Sequence, residues 1–143
     1  MTAFGVQILV IEDDHDIRQA FADVLAVLGY TVRCVADGRE ALDYLAAHPA
    51  PCLIFLDLMM PGMDGFEFRA RQRHTPALAA IPVVVLSADG KVEDRAREIE
   101  ASGWLRKPIE FEALHEALRR WCGPEAAAAP ARDAPVDTLR PPA

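Results

Sequence analysis

The sequence predicts an α/β fold in which a five-stranded parallel sheet is covered on both faces by helices. Three observations predict it. Short apolar runs alternate five times with stretches whose apolar residues recur at helical spacing. Runs such as Cys52–Leu56 (CLIFL) and Pro82–Leu86 (PVVVL) have no polar face and must be covered on both sides. Right-handed crossovers between such strands leave a doubly wound sheet as the leading topology.

The elements follow in order. Gln7–Ile11 (QILVI) is the first strand. Asp14–Leu28 is the first helix, with Ile17, Phe21, Val24 and Leu28 on one stripe, Asp14 placed to cap its start and Gly29 placed to end it. Thr31–Val35 is the second strand, and Gly38–Ala47 a helix that turns Ala41, Leu42 and Leu45 inward. Cys52–Leu56 is the third strand, followed by a loop rich in Pro and Gly and a helix at Phe66–Arg73. Pro82–Leu86 is the fourth strand. The helix at Val92–Ala101 has a thin apolar stripe of Val92, Ala96 and Ile99, which suits a loosely held element. Gly103–Arg106 is the fifth strand, and Glu110–Trp121 the last helix, with Phe111, Leu114, Leu118 and Trp121 on one side.

With 143 residues there is room for one domain, and 52% hydrophobic residues suffice for its core. Residues 1–122 form that domain. Residues 123–143, rich in Pro and Ala, bury little and read as a flexible tail. The formal charge of −7 disfavours direct binding to nucleic acid, which rewards a surplus of Lys and Arg. Arg69, Arg71, Arg73 and His74 read as a solvated helix face. No segment has the length of apolar sequence that a membrane helix or signal peptide needs, so a cytoplasmic location is expected. Cys34, Cys52 and Cys122 show no close pairing. Cys34 and Cys52 read as small core residues, and neither a disulfide nor a zinc site is expected.

In open parallel sheets ligands sit outside the carboxyl ends of the strands, so the residues just after each strand carry the interest. After the first strand come Glu12, Asp13 and Asp14; after the third, Asp57; after the fourth, Ser87; after the fifth, Lys107 and Pro108. Carboxylates placed close together repel, and a hard divalent cation relieves that. Magnesium held by Glu12, Asp13 and Asp57, directly or through water, would leave one Asp able to attack a phosphorus atom in line. Lys107 and the Ser87 hydroxyl would take up phosphoryl oxygens. Each part is weak evidence alone; the joint placement at successive strand ends is what points to phosphoryl transfer. Met59, Met60 and Met63 read as core or loop filler.

These residues resemble the response-regulator receiver family of two-component signalling. Ile8–Asp14 (ILVIEDD) is similar to that family's acidic motif, and Phe55–Gly65 (FLDLMMPGMDG) to the loop holding its phosphorylated aspartate. Val85–Ala88 (VLSA) and Gly103–Pro108 (GWLRKP) resemble its hydroxyl and lysine motifs. The resemblance implies a flavodoxin-like sheet of order 2-1-3-4-5. It makes Asp57 the phosphoacceptor, loaded by a sensor histidine kinase or phosphotransfer protein. Glu12, Asp13, Asp57 and the backbone carbonyl of Met59 would hold Mg2+. Ser87 and Lys107 would contact the phosphoryl group, and the Lys107–Pro108 bond would be cis. Asp64 and Gly65 would close the loop and start the third helix. Trp104 takes the place of the aromatic switch residue, usually Tyr or Phe, and its bulk works against the customary inward rotation. The face made by the fourth helix, fifth strand and last helix would be the output surface.

Ile17 and Ala20 match positions that relatives use to dock the kinase, although Ile17 also fits the core stripe. Met59 and Asp89 should flank the path of an attacking water. An apolar Met59 cannot orient that water, which implies slow self-dephosphorylation, while simple packing is the other reading of Met59. A stand-alone regulator acting by protein contacts is the leading expectation. A receiver module of a hybrid kinase or phosphorelay, and a receiver-like adaptor that is not phosphorylated, are the alternatives. A phosphatase of the haloacid-dehalogenase type also uses an Asp and magnesium, but needs a second acid two residues on, where this chain has Met59. A self-limiting switch is therefore expected rather than a turnover enzyme.

Overall fold

The structure, a computed structural model, describes residues 5–122. The expected tail at 123–143 lies outside the described residues. Strand β1 (Ile8–Ile11) leads into α1 (His15–Val27), then β2 (Val32–Val35) and α2 (Gly38–Ala47). Strand β3 (Leu53–Asp57) leads into α3 (Gly65–Arg73), and β4 (Val83–Ser87) into α4 (Val92–Glu98). Strand β5 (Gly103–Arg106) and α5 (Phe111–Cys122) complete it. The sheet runs β2-β1-β3-β4-β5, all parallel, as expected. Among the described residues no helix is long and apolar enough to cross a membrane.

Side chains alternate across a strand, so the sheet builds two cores. One face carries Leu9, Ile11, Ile54, Leu56, Val83, Val85 and Trp104, packed against α2, α3 and α4. The other carries Ile8, Val10, Leu53, Phe55, Val84, Leu86 and Leu105, packed against α1 and α5. Strands β1, β3 and β4 are buried throughout, which is why they read as unbroken apolar runs. Asp14 caps α1 through the Ile17 N–H (3.1 Å), and Asp64 caps α3 through the Glu67 N–H (3.0 Å). Gly65 must be small: a Cβ there would lie 2.7 Å from the Asp57 carbonyl oxygen and the Leu58 Cα.

Expectations for the cysteines, Arg69, the fourth helix and Phe111 are corrected. Cys52 and Cys122 are disulfide-bonded, with Cα atoms 5.6 Å apart. The pair joins the residue before β3 to the last residue of α5. Their separation of 70 residues hid it, because only the return of α5 along the sheet brings them together. Neither Cys34 nor Cys52 is fully buried. Arg69 is not part of a solvated face. It is buried, and its guanidinium donates to the carbonyls of Ile99 (2.9 Å) and Glu100 (2.6 Å) and to Gln72 Oε1 (2.7 Å); Arg71, Arg73 and His74 are exposed as expected.

Helix α4 stops at Glu98, because Glu100 turns into the left-handed region (φ 55°) while Arg69 takes the freed carbonyls. The element that looked loosely held is thus bonded firmly at its C-terminal end. Finally, Phe111 faces solvent, 55% exposed, rather than the core; it stacks on His115.

Candidate functional site

Register decides what meets at the carboxyl edge. Ile11 pairs with both Val35 and Leu56, so Glu12 and Asp13 leave β1 beside Asp57, the last residue of the central strand β3. Asp57 pairs with Leu86, which places Ser87 one step further on β4. Ser87 pairs with Arg106, and the Lys107 N–H donates to the Ser87 carbonyl (2.9 Å), so Lys107 closes the group from the far side. These residues line one cleft of about 430 Å³, with Asp14, Ile17, Met59, Ala88 and Asp89.

Oxygens of Glu12, Asp13 and Asp57 all lie within 4.8 Å of one another. Glu12 and Asp57 are almost wholly buried, and Asp13 is exposed. Lys107 Nζ lies 2.8 Å from Glu12 Oε1 and 3.7 Å from Asp57 Oδ2. The Met59 N–H donates to Asp57 Oδ1 (3.2 Å), and the Asp14 N–H to Glu12 Oε2 (3.0 Å). The Asp89 N–H donates to Ser87 Oγ (3.0 Å), orienting a buried hydroxyl at the end of β4.

Burial, and then the charge of Glu12, push the Asp57 carboxyl up to about 7, against partial relief from Lys107 and the Met59 N–H. Burial works to lower the Lys107 ammonium, but the Glu12 hydrogen bond and the charges of Asp57, Glu12 and Asp13 outweigh it and hold the group above its ordinary value. Three acids against one lysine leave an excess of negative charge in an open cleft whose floor is buried. An all-oxygen donor set of this spacing suits a hard divalent cation.

The predicted residues Glu12, Asp13, Asp57, Ser87 and Lys107 are therefore brought together. Met59 stands at the rim with its side chain 70% exposed. The Lys107–Pro108 bond is cis. Trp104 lies elsewhere, buried beneath α4 on the opposite face from α5. A second groove, of about 370 Å³, runs beside the cleft between α1 and α5 and shares Ile17 and Lys107 with it. Ala20, Val24, Ile109 and Phe111 line it, so Ile17 serves the core edge and the groove together.

Sequence reasoning missed Arg18, whose side chain bonds the backbone of Glu12 and Asp13. A signal existed. Helical side chains lean toward the N-terminus, so a long basic residue one turn past the cap reaches back over the acidic loop.

Residues 8–119 match the Response regulator receiver domain family. Response regulator MprA of Mycolicibacterium vanbaalenii is 37% identical over 116 residues, 80% of this chain and 49% of that protein. Transcriptional regulatory protein TcrA of Mycobacterium tuberculosis is 38% identical over 117 residues, 80% of this chain and 45% of that protein. The chain thus spans about half the length of these curated relatives. Among solved structures, chemotaxis protein CheY4 of Vibrio cholerae superposes with a TM-score of 0.72 at 33% identity, covering 80% of this chain and 96% of that one. The signal receiver domain of a signal transduction histidine kinase from Syntrophus aciditrophicus gives a TM-score of 0.76 at 27% identity, covering 90% and 96%.

Proposed function

Because the chain belongs to the response regulator receiver family, we propose that it is a phosphoaccepting switch loaded at Asp57 by a sensor histidine kinase or phosphotransfer protein. The observation that carries this reading is the convergence of Glu12, Asp13, Asp57, Ser87 and Lys107 on one cleft. Asp57 is the acid with a neighbour on either side of it: Glu12 raises its proton affinity and Lys107 steadies its anion. A carboxylate oxygen of Asp57 attacks the phosphorus of a phosphohistidine. The P–N bond breaks, its electron pair returns to the imidazole, and an acyl phosphate results.

Glu12, Asp13 and Asp57, with the Met59 carbonyl, would hold Mg2+; bound there, it would neutralise charge on the transferred group. Lys107 and the Ser87 hydroxyl would meet the added oxygens, whose charge of about −1.5 to −2 needs local compensation. Drawing Ser87 toward the phosphoryl group pulls on Asp89, and so on the start of α4. The groove between α1 and α5, with Ile17 and Ala20, would seat the phosphodonor protein, since it opens directly onto Lys107. With Met59 in place of a second acid, the site supports a single loading event rather than turnover.

Incubation with acetyl phosphate and magnesium should add one phosphoryl group per chain, and Asp57→Asn should abolish it. Equal labelling of the variant would overturn the assignment. The reading as one module of a larger protein is supported by relatives of which the matched segment is about half. The size of the native polypeptide on an immunoblot decides between that and a stand-alone regulator.

A further inference from the structure

Resting on that reading of the cleft, we infer that Arg18 is a positioning residue that holds the Glu12–Asp13 backbone so that both carboxylates face one divalent cation. One nitrogen of Arg18, Nη1, donates to the carbonyl of Glu12 and to the carbonyl of Asp13, each at 2.9 Å. In a strand, successive side chains and successive carbonyls point to opposite sides. Two consecutive carbonyls that share one donor have been turned to the same side. That turn is what the site demands, because Glu12 and Asp13 are neighbours in sequence yet present oxygens within 4.8 Å of each other and of Asp57.

The rest of the loop is tied down by other means. The Glu12 N–H donates to the Val35 carbonyl (3.0 Å), which keeps that end in the sheet. Glu12 Oε2 accepts from the Asp14 N–H, and Asp14 caps α1. Between these anchors Arg18 holds the peptide units from outside the cleft; His15 Nδ1 lies 3.5 Å from its other terminal nitrogen. Although it sits among acids, Arg18 directs these hydrogen bonds to main-chain oxygens. A cation this near the cleft opposes a metal ion by its charge. Its electrostatic and its geometric effects on magnesium therefore have opposite signs, and the two are separable.

The test is calorimetric titration of magnesium into metal-free protein for wild type, Arg18→Ala, Arg18→Gln and Arg18→Lys, with thermal melting as the check on folding. Arg18→Ala should weaken magnesium binding about tenfold, the cost of losing a partner that orients metal ligands. Arg18→Gln, which keeps an N–H donor without charge, should recover part of the loss, and stands in should the alanine variant fail to fold. Arg18→Lys should bind better than Arg18→Ala. In phosphorylation by acetyl phosphate, the half-saturating magnesium concentration should rise while the maximal rate holds. Equal or tighter magnesium binding by folded Arg18→Ala and Arg18→Gln would overturn the inference and leave the cleft's function standing. Absence of magnesium binding in the wild type would overturn the metal reading, and this inference with it.

Discussion

Replacing Asp57 by Asn should stabilise the metal-free protein, and do so only on the alkaline side. The carboxyl is raised from its ordinary 3.8 to about 7, chiefly by burial and next by Glu12. Below pH 4 both folded and unfolded chains hold the proton, and Asp57 costs the fold nothing through its charge. Between 4 and 7 the folded chain keeps a proton that the unfolded chain has released, so stability falls by about 1.4 kcal/mol per pH unit. The loss reaches a ceiling of about 4 kcal/mol above pH 7. An Asn has the same shape without the charge, but its amide remains a partly buried polar group that gives back about 1–2 kcal/mol. A net gain of about 2–3 kcal/mol at pH 8 follows, shrinking toward zero or below near pH 4. Urea unfolding followed by tryptophan fluorescence, in EDTA, at pH 4.5, 6 and 8 measures it. Magnesium should shrink the gain, since it relieves the same repulsion. An Asp57→Asn variant no more stable than wild type at pH 8, or equally stabilised at every pH, would refute the account of the cleft as an acid cluster under strain.

Arg69→Ala should lower stability by about 2–4 kcal/mol, because three hydrogen bonds in a buried setting are lost and the carbonyls of Ile99 and Glu100 are stranded; a change under about 1 kcal/mol in chemical unfolding would contradict the packing described. Reducing the Cys52–Cys122 bond releases a constraint spanning 70 residues, which chain entropy values at about 4 kcal/mol. A reductant should lower the melting temperature of the wild type and leave that of Cys122→Ser unchanged; equal shifts in both would argue against the bond. Met59 stands exposed at the rim of the cleft, and a polar side chain there would orient water toward the acyl phosphate. Met59→Asn should release phosphate several-fold faster in a single-turnover assay, and unchanged or slower release would show that Met59 only packs.

The alternation of elements was legible because a strand buried on both faces has no place for a polar residue: β1, β3 and β4 announce themselves in ILVI, LIF and VVVL. The site was legible for a related reason. A parallel sheet delivers every strand end to one edge, so Glu12, Asp57, Ser87 and Lys107 had to meet once the strands were identified. What escaped depends on side chains crossing between elements. Arg69 has the composition of a surface residue, and only the end of α4, 30 positions on, makes it a buried one. Cys52 and Cys122 meet because α5 lies back along the sheet, a fact that no local spacing records. The place of Arg18 one turn past the cap was a signal, but its partners are carbonyls, which every residue has, so nothing in the composition marked them.

The two ends of α4 differ in a way that bears on how a change in the cleft would spread. Its first turn is anchored through Asp89. Lys91 supplies no side-chain cap, but its N–H donates to Asp89 Oδ1 (2.8 Å), the Val92 N–H donates to the Asp89 carbonyl (3.1 Å), and Val92 is fully buried. An ion pair from Arg95 to Asp89 (3.7 Å) is half exposed and adds little. The last turn is held by the buried Arg69 guanidinium, and Ile99 is packed in the core. Ser87 is bonded to the Asp89 N–H, so a shift of the Ser87 hydroxyl would reach the first turn of α4 through Asp89, while Arg69 would hold the last turn. Such a shift would move Val92 more than Ile99 and would change the cover over Trp104, which packs in the same core cluster as both.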